Sequence, residues 1–449
     1  MHSSRAPLPS GSRGLPGLGE TLTFLKDGFD FVEERTRRHG PVFRTHLLGK
    51  DAIVIAGPEA SRVWIDAARI ERNGAMPGNI QQLFGGRSLP LLDGEEHRIR
   101  KEQVLAGFTH QAVESYLPGM QEVMATTFDR WSRASAPISG IEELKRLAIE
   151  VIGANVLGLA PGPRLDRLRA AYGILALGMG ALPLPLPGST YRRALDARDE
   201  ILGVLREEVM RARGTAPSES GLSRMLRAEA RDGSRLDDDA AVLELHHVVV
   251  AGYIVFAELA QGMIQLAGHE ETRTRIRGEA QAVAPGGSLD SSALRSMPFT
   301  SQVVKELKRL TPILPVVFGK AREEFEFAER RVPRGWMVLW APYSSMLWLA
   351  SFSDSRRFDP DRFSPARAEG ADEEHVFVPQ GPGKALGHKC PGTDYATVFM
   401  QTFFALLARD FTWELPQQDL SMVWNRIPPE PRDGLRMIVR PSAPLQRFD

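Results

Sequence analysis

The only cysteine of the chain, Cys390, stands immediately before Pro391 at the end of FVPQGPGKALGHKCPG, residues 377–392. Gly381, Gly383, Gly387 and Gly392 crowd this stretch, and backbone without Cβ atoms can approach a flat ligand closely. Proline is favoured at the first position of a helix. The sulfur is therefore expected at a helix N-terminus, where free N–H groups and the macrodipole favour thiolate over thiol. An isolated cysteine is more often an inert packing residue. Here the glycine cage, and the distant segments described below, reverse that balance.

The remaining sequence reads as one large, mainly helical unit. Its 449 residues contain neither an internal repeat nor a long linker, and a hydrophobic content of 43% supplies a large core. Lysine plus arginine equals aspartate plus glutamate, 56 against 56, which gives no support to nucleic-acid binding or membrane attraction. A single cysteine excludes an intrachain disulfide. The opening MHSSRAPLPSGSRGLPGLG lacks a signal-peptide pattern, and no run of 18 consecutive apolar residues occurs. A cytoplasmic protein with no transmembrane anchor is the expectation.

Residues 1–19, rich in Pro, Gly and Ser, read as an extended arm, and 20–449 as a single catalytic domain. Helical spacing predicts a first helix over 20–40, then helices over 58–69, 94–105, 112–135, 141–157, 164–178, 190–213 and 238–268, with a last one over 391–409. VFRTHLLGKDAIVIAG, residues 42–57, reads as a hairpin and 181–189 as a loop stiffened by three prolines. Strand-like alternation returns over 320–342, around a turn at Pro333, Arg334 and Gly335.

KELKRLTP (305–312) sets Glu306 and Arg309 at pairing distance on one helix face. FDPDRF (358–363) adds Arg362 beside a proline turn. A thiolate held by backbone donors suits a heme iron as an electron-donating axial ligand. In this order, the two segments and the cysteine loop resemble the ExxR helix, the PERF-like segment and the heme loop of the cytochromes P-450.

The resemblance spans nearly the whole chain. It implies a mainly α cytochrome P-450 fold, a helical prism with a small β-rich portion near the N-terminal half, holding heme b (iron protoporphyrin IX) on Cys390. Glu306, Arg309 and Arg362 would form a buried structural cluster below the heme. DGEEHRIRK (93–101) resembles the family's third helix, where basic residues meet the heme propionates. His97, Arg100 and Lys101 are the candidates there, joined by His388, Gly381 and Gly383 of the heme loop. TLTFLKDGFDFVEERTRR, the LLGK turn, PQGPG and QQDLSMVWNRIP (417–428) look like bacterial fatty-acid peroxygenases, whereas PLPGSTYRRALDAR (185–198) looks like retinoid-hydroxylating relatives. One spacing departs from the family's FxxGxRxCxG pattern: Phe377 lies thirteen residues before Cys390, instead of seven.

The helix over 238–268, opened by Asp237, Asp238 and Asp239, should cross above the heme. In monooxygenases of the family its middle reads Ala-Gly, any residue, an acid, then threonine. The acid and alcohol deliver protons during dioxygen activation. The match here is Ala251, Gly252, Tyr253, Ile254, Val255, and neither Ile254 nor Val255 can relay a proton. Peroxygenases carry Arg-Pro instead, the arginine holding a substrate carboxylate, yet neither residue type occurs between 236 and 272. Tyr253, Ile254 and Val255 are the catalytic candidates on this helix. Water, His246, His247 or Glu258 forms the alternative proton route.

These features imply an oxidoreductase of the monooxygenase/peroxygenase class that oxidises a hydrophobic small molecule in bacterial secondary metabolism. An isoprenoid-like chain suits it better than a free fatty acid. Its electrons come from a ferredoxin/reductase pair or from none. The competing reading is a heme-dependent lyase, isomerase or group-transfer enzyme whose substrate is already activated by an O–O or N–O bond.

Overall fold

The computed structural model describes residues 6–311, 313–371 and 375–442. The main elements in chain order begin with α1 (Gly28–His39), β1 (Val42–Leu47), β2 (Lys50–Ile55), β3 (Ile70–Glu71), α2 (Gly94–Leu105) and α3 (His110–Ser132). They continue with α4 (Gly140–Ile152), α5 (Pro163–Met179), α6 (Thr190–Gly214), α7 (Asp238–Tyr253) and α8 (Val255–Ala267). The last are α9 (Pro298–Leu310), β4 (Val317–Ala321), β5 (Met337–Trp340) and α10 (Thr393–Asp410). Shorter helices and strands fill the intervals.

The predicted hairpin forms, with Val42 opposite Ile55 and Leu47 opposite Lys50. Leu48 and Gly49 both take positive φ, 53° and 75°, the two-residue turn whose twist matches that of paired strands. Strand order in the main sheet is β1-β2-β5-β4-β3, with β5 parallel to β2. The sheet therefore draws strands from both halves of the chain, which corrects the expectation of a β portion near the N-terminal half. Apolar clusters cover β2 on both faces, Ile53 and Ile55 packing with Val63 and Trp64 and Ala52 and Val54 with Phe31 and Val32, and all four β2 residues are inaccessible. Extended chain before α1 lies alongside, where the Arg44 N–H donates to Ser10 O at 2.9 Å.

Several helix limits differ from the sequence reading, each for a local reason. The helix expected over 20–40 is divided at Asp27, whose carboxylate accepts from the Asp30 N–H at 2.9 Å and caps α1. The helix after β2 stops at Trp64. After Ile152 the backbone loosens into a π turn, Gly153–Leu157, ending at left-handed Gly158. The long helix is interrupted at Ile254, where the Ala257 N–H reaches back only three residues, to Ile254 O at 3.1 Å. Together α7 and α8 are long and apolar enough to cross a membrane, but most of that stretch is buried inside the protein. They pack against α4 and α6 on one side and α9 and α10 further along.

Close helix packing predicts one stability effect. A Cβ on Gly262 of α8 would lie 2.1 Å from the ring of Phe404 and 2.9 Å from Leu307, both inaccessible in the core. Gly262→Ala should therefore cost about 1–3 kcal/mol by overpacking, despite the better helix propensity of alanine. A lowered midpoint in chemical denaturation, with unchanged slope, is the expected reading.

Candidate active site

The cysteine loop folds back on itself. The Cys390 N–H donates to Gln380 O at 2.9 Å, closing the loop, while the Gly381 N–H donates to Val378 O and the Gly387 N–H to Lys384 O. The residues that lengthen it are pushed outward, with Lys384, Ala385 and Leu386 exposed. Gly381 and Gly383 have φ of 89° and 94°, conformations that glycine adopts without strain. Helix α10 begins at Thr393 with Gly392 as its N-cap, so Pro391 precedes the helix and is not its first residue. Cys390 thus lies two residues outside the cap, held by the Thr393 hydroxyl donating to its carbonyl at 2.8 Å. Desolvation pushes its thiol pKa up, against the Gly392 N–H and the charges of Lys101 and Lys308. A metal cation bound at the sulfur would favour the thiolate.

Beside the loop lies a desolvated basic cluster. The rings of His97 and His388 lie 4.0 Å apart, tilted by 32°, and His388 Nε2 is 3.6 Å from Asp93 Oδ1. Asp93 Oδ2 accepts the N–H groups of Arg72 at 2.7 Å and Asn73 at 2.8 Å. The Arg72 guanidinium lies 3.7 Å over the Trp64 ring and donates to Trp64 O at 2.8 Å. Its Nη1 is buried without a partner among the described residues. Lys101 is inaccessible and donates to Lys389 O.

Burial lowers the pKa of His97 to about 3, of Lys101 to about 8 and of Arg72 to about 9. Burial opposes ionisation of Asp93 too, but the neighbouring His388 imidazole and the N–H groups of Asn73 and Arg72 hold it at about 2. Two buried cations, Arg72 and Lys101, stand beside one carboxylate, and Arg72 keeps an orphaned donor, so the site has room for further negative charge. The two propionates of a porphyrin would supply it, so these residues fit the group. Arg72 was not legible in the sequence, because nothing in ERNG marks it. Arg100 directs its charge elsewhere: its Nη1 is 3.0 Å from Glu244 Oε1, tying α2 to α7.

Glu306, Arg309 and Arg362 come together with wholly inaccessible side chains. Arg309 donates to both carboxylate oxygens of Glu306, at 2.7 and 2.9 Å. Glu306 Oε1 also accepts from Arg362 Nε and the Asp359 N–H, each at 3.0 Å. Arg362 continues to Glu369 at 2.6 Å, and Arg309 to the carbonyls of Met346 and Ser355. Every partner of this network is hydrogen-bonded, the condition under which buried charge rigidifies a region.

On the long helix pair, Gly252 abuts α4, where a Cβ would meet Ile152 at 2.6 Å. Tyr253 is buried against Tyr172 and Phe256. Desolvation raises its hydroxyl pKa far above the ordinary value. His246 is also fully engaged, with Nε2 3.0 Å from Leu83 O and Nδ1 3.1 Å from the Tyr172 hydroxyl, and burial lowers it to about 4. His247 Nδ1 has no hydrogen-bond partner among the described residues and lies 3.9 Å from Glu244 Oε2. Glu258 is buried, and burial raises its carboxyl pKa.

A single cysteine in a glycine-bent loop, a basic cluster with room for negative charge and a locked ion-pair network below it describe a heme-thiolate protein. The sequence model of the family Cytochrome P450 matches residues 9–433, and the chain belongs to that family. Its members are oxidoreductases that bind heme b through a cysteine thiolate.

Among its relatives, the chain is 29% identical to cytochrome P450 120 of Synechocystis sp., over 96% of each chain. It is also 29% identical to cytochrome P450 26B1 of Danio rerio, over 97% of this chain and 87% of the relative. The structure is similar to retinoic acid bound cyanobacterial CYP120A1, with a TM-score of 0.90 at 28% identity, covering 98% of this chain and all of that one. Cytochrome P450SP alpha (CYP152B1), in complex with (R)-ibuprophen, shares the fold with a TM-score of 0.80 at 24% identity, over 94% and 98% of the two chains.

Proposed function

We propose that this chain oxidises an apolar, isoprenoid-like small molecule at a heme held by the Cys390 thiolate, as a tailoring step in bacterial secondary metabolism. Its oxidising equivalents would come from peroxide, or from a substrate already carrying a weak O–O or N–O bond. The observation that carries this reading is the pair Ile254 and Val255 at the break between α7 and α8, where neither side chain holds a transferable proton. Peroxide brings its own protons. Dioxygen needs them delivered, whether electrons come from a ferredoxin/reductase pair or another donor. Tyr253 and His246 are engaged in packing and hydrogen bonds elsewhere.

When bound, the heme supplies the oxidising chemistry, with Cys390 donating electron density. Arg72, His97, Lys101 and His388 are assigned to the propionates, and Glu306, Arg309 and Arg362 to holding the loop that carries the sulfur. The apolar run from Val248 to Val250 and from Ile254 to Ala257 offers no polar side chain to hold water. An external cleft of about 370 Å³ lies between Leu18, Leu22, Leu48, Leu182 and Pro183. No arginine between 236 and 272 is present to hold a fatty-acid carboxylate on this helix, and the relative of known structure binds a retinoid.

Product formed per heme should be at least as high with peroxide alone as with reductase, NADPH and dioxygen. Ile254→Glu with Val255→Thr should raise the dioxygen-dependent rate. Efficient coupling of NADPH to product only in the presence of dioxygen would overturn the proposal and direct attention to His247 and Glu258. Turnover with neither oxidant nor electron donor would mark the lyase, isomerase or group-transfer chemistry instead.

A further inference from the structure

Between Glu306 and Arg309, on the other side of α9 from the ion-pair cluster, stands a lysine that the family pattern leaves unspecified. Lys308 is buried, at 3% exposure. Its three ammonium hydrogens are matched by three acceptors: Thr397 Oγ1 at 2.7 Å, Gln380 Oε1 at 3.2 Å and Thr393 O at 3.5 Å.

Each acceptor is linked to Cys390. The Gln380 carbonyl accepts the Cys390 N–H at 2.9 Å. The Thr393 hydroxyl donates to the Cys390 carbonyl at 2.8 Å, and Thr397 donates to Thr393 O at 2.8 Å. One ammonium thus ties together both backbone partners of the single cysteine.

None of these contacts neutralises it. Among the described residues, no carboxylate lies within ion-pair distance of Lys308, although buried ammonium groups are costly unless compensated. Burial lowers its pKa, and the neighbouring Glu258 and Cys390 oppose that shift, while Lys308 in turn acts on the sulfur. A satisfied structural clamp would need only hydrogen bonds, which a glutamine or a threonine supplies. An ammonium held by three acceptors in a dry interior, on residues linked to the cysteine backbone, has an additional electrostatic effect.

We propose that Lys308 is a positioning residue whose buried ammonium anchors the cysteine loop and raises the reduction potential of the heme bound at Cys390. One-electron reduction of the ferric heme-thiolate adds a negative charge to the centre, and a fixed cation nearby stabilises the reduced form. The inference rests on Cys390 being the iron ligand. That premise is read separately, from the carbon monoxide spectrum of the reduced parent protein.

The test is a mediated redox titration of the holoprotein with dithionite as reductant, comparing the parent with K308Q, K308M and K308R. Glutamine keeps the hydrogen bonds without the charge, methionine fills the same channel, and arginine keeps the charge. At a fixed solution potential, K308Q and K308M should show a ferric-to-ferrous ratio roughly tenfold or more above the parent. K308R should stay close to the parent, and all should retain the thiolate-type carbon monoxide spectrum. A parental potential in K308Q would overturn the proposal. So would loss of holoprotein in both uncharged variants, which would leave Lys308 a clamp only.

Discussion

Cys390→Ser should yield a folded chain that takes up little heme and shows no thiolate-type spectrum when reduced and exposed to carbon monoxide. The fold does not depend on the sulfur. The loop is closed by backbone bonds from Cys390 N–H to Gln380 O and from the Thr393 hydroxyl to Cys390 O, and a serine preserves both. Heme attachment does depend on it, because a hydroxyl is a far weaker anionic ligand than a thiol whose metal-bound form is fully deprotonated. The chain contains no second cysteine to substitute. Far-ultraviolet circular dichroism should therefore match the parent while the heme-to-protein absorbance ratio collapses. Retention of the thiolate-type spectrum in the serine variant would show that Cys390 is not the ligand.

Glu306→Ala should be more damaging to the fold itself. It leaves Arg309 and Arg362 as two guanidinium groups with no exposure and with their shared carboxylate gone. Breaking a buried pair on one side costs roughly 3–5 kcal/mol, a large part of the stability of a typical protein. Arg362 keeps Glu369 at 2.6 Å, and Arg309 keeps two carbonyls, so partial folding of the surrounding helices can survive. Soluble yield and heme content should both fall sharply, and Arg309→Ala should behave alike because it leaves Glu306 with one guanidinium instead of two. Normal yield with a full complement of heme in either variant would mean that the network contributes little.

How far the site was legible in advance depends on the range of the forces that build each part. The LLGK hairpin formed as read, because two residues with positive φ at Leu48 and Gly49 decide it locally. The pair Glu306 and Arg309 was visible as a spacing on one helix face, and its closure by Arg362 as an ordered set of segments. Helix limits were less legible. Asp27 divides the first helix with a cap, and Ile254 interrupts the long one through a local tightening of its hydrogen bonds. A stretch of apolar residues carries no mark of either event.

The amino-acid sequence by itself determined the family, the lone cysteine as the only sulfur able to bind iron as a thiolate, and the absence of an acid and an alcohol at positions 254 and 255. These are statements about residue identity and order, and no packing alters them. Only the tertiary structure decided which polar side chains remain free to act. His246 and Tyr253 were equal candidates with His247 until Tyr172 and the Leu83 carbonyl engaged them. Arg100 turned to Glu244, 144 residues away, while Arg72 arrived beside the cysteine loop from a segment that carries no sign of it, and Lys308 from a helix whose motif marks only its neighbours Glu306 and Arg309. A charged side chain in a dry interior takes whichever partners surround it, because leaving it unpaired costs more than any local preference. Those partners come from distant parts of the chain, so their identity appears only when the chain is folded.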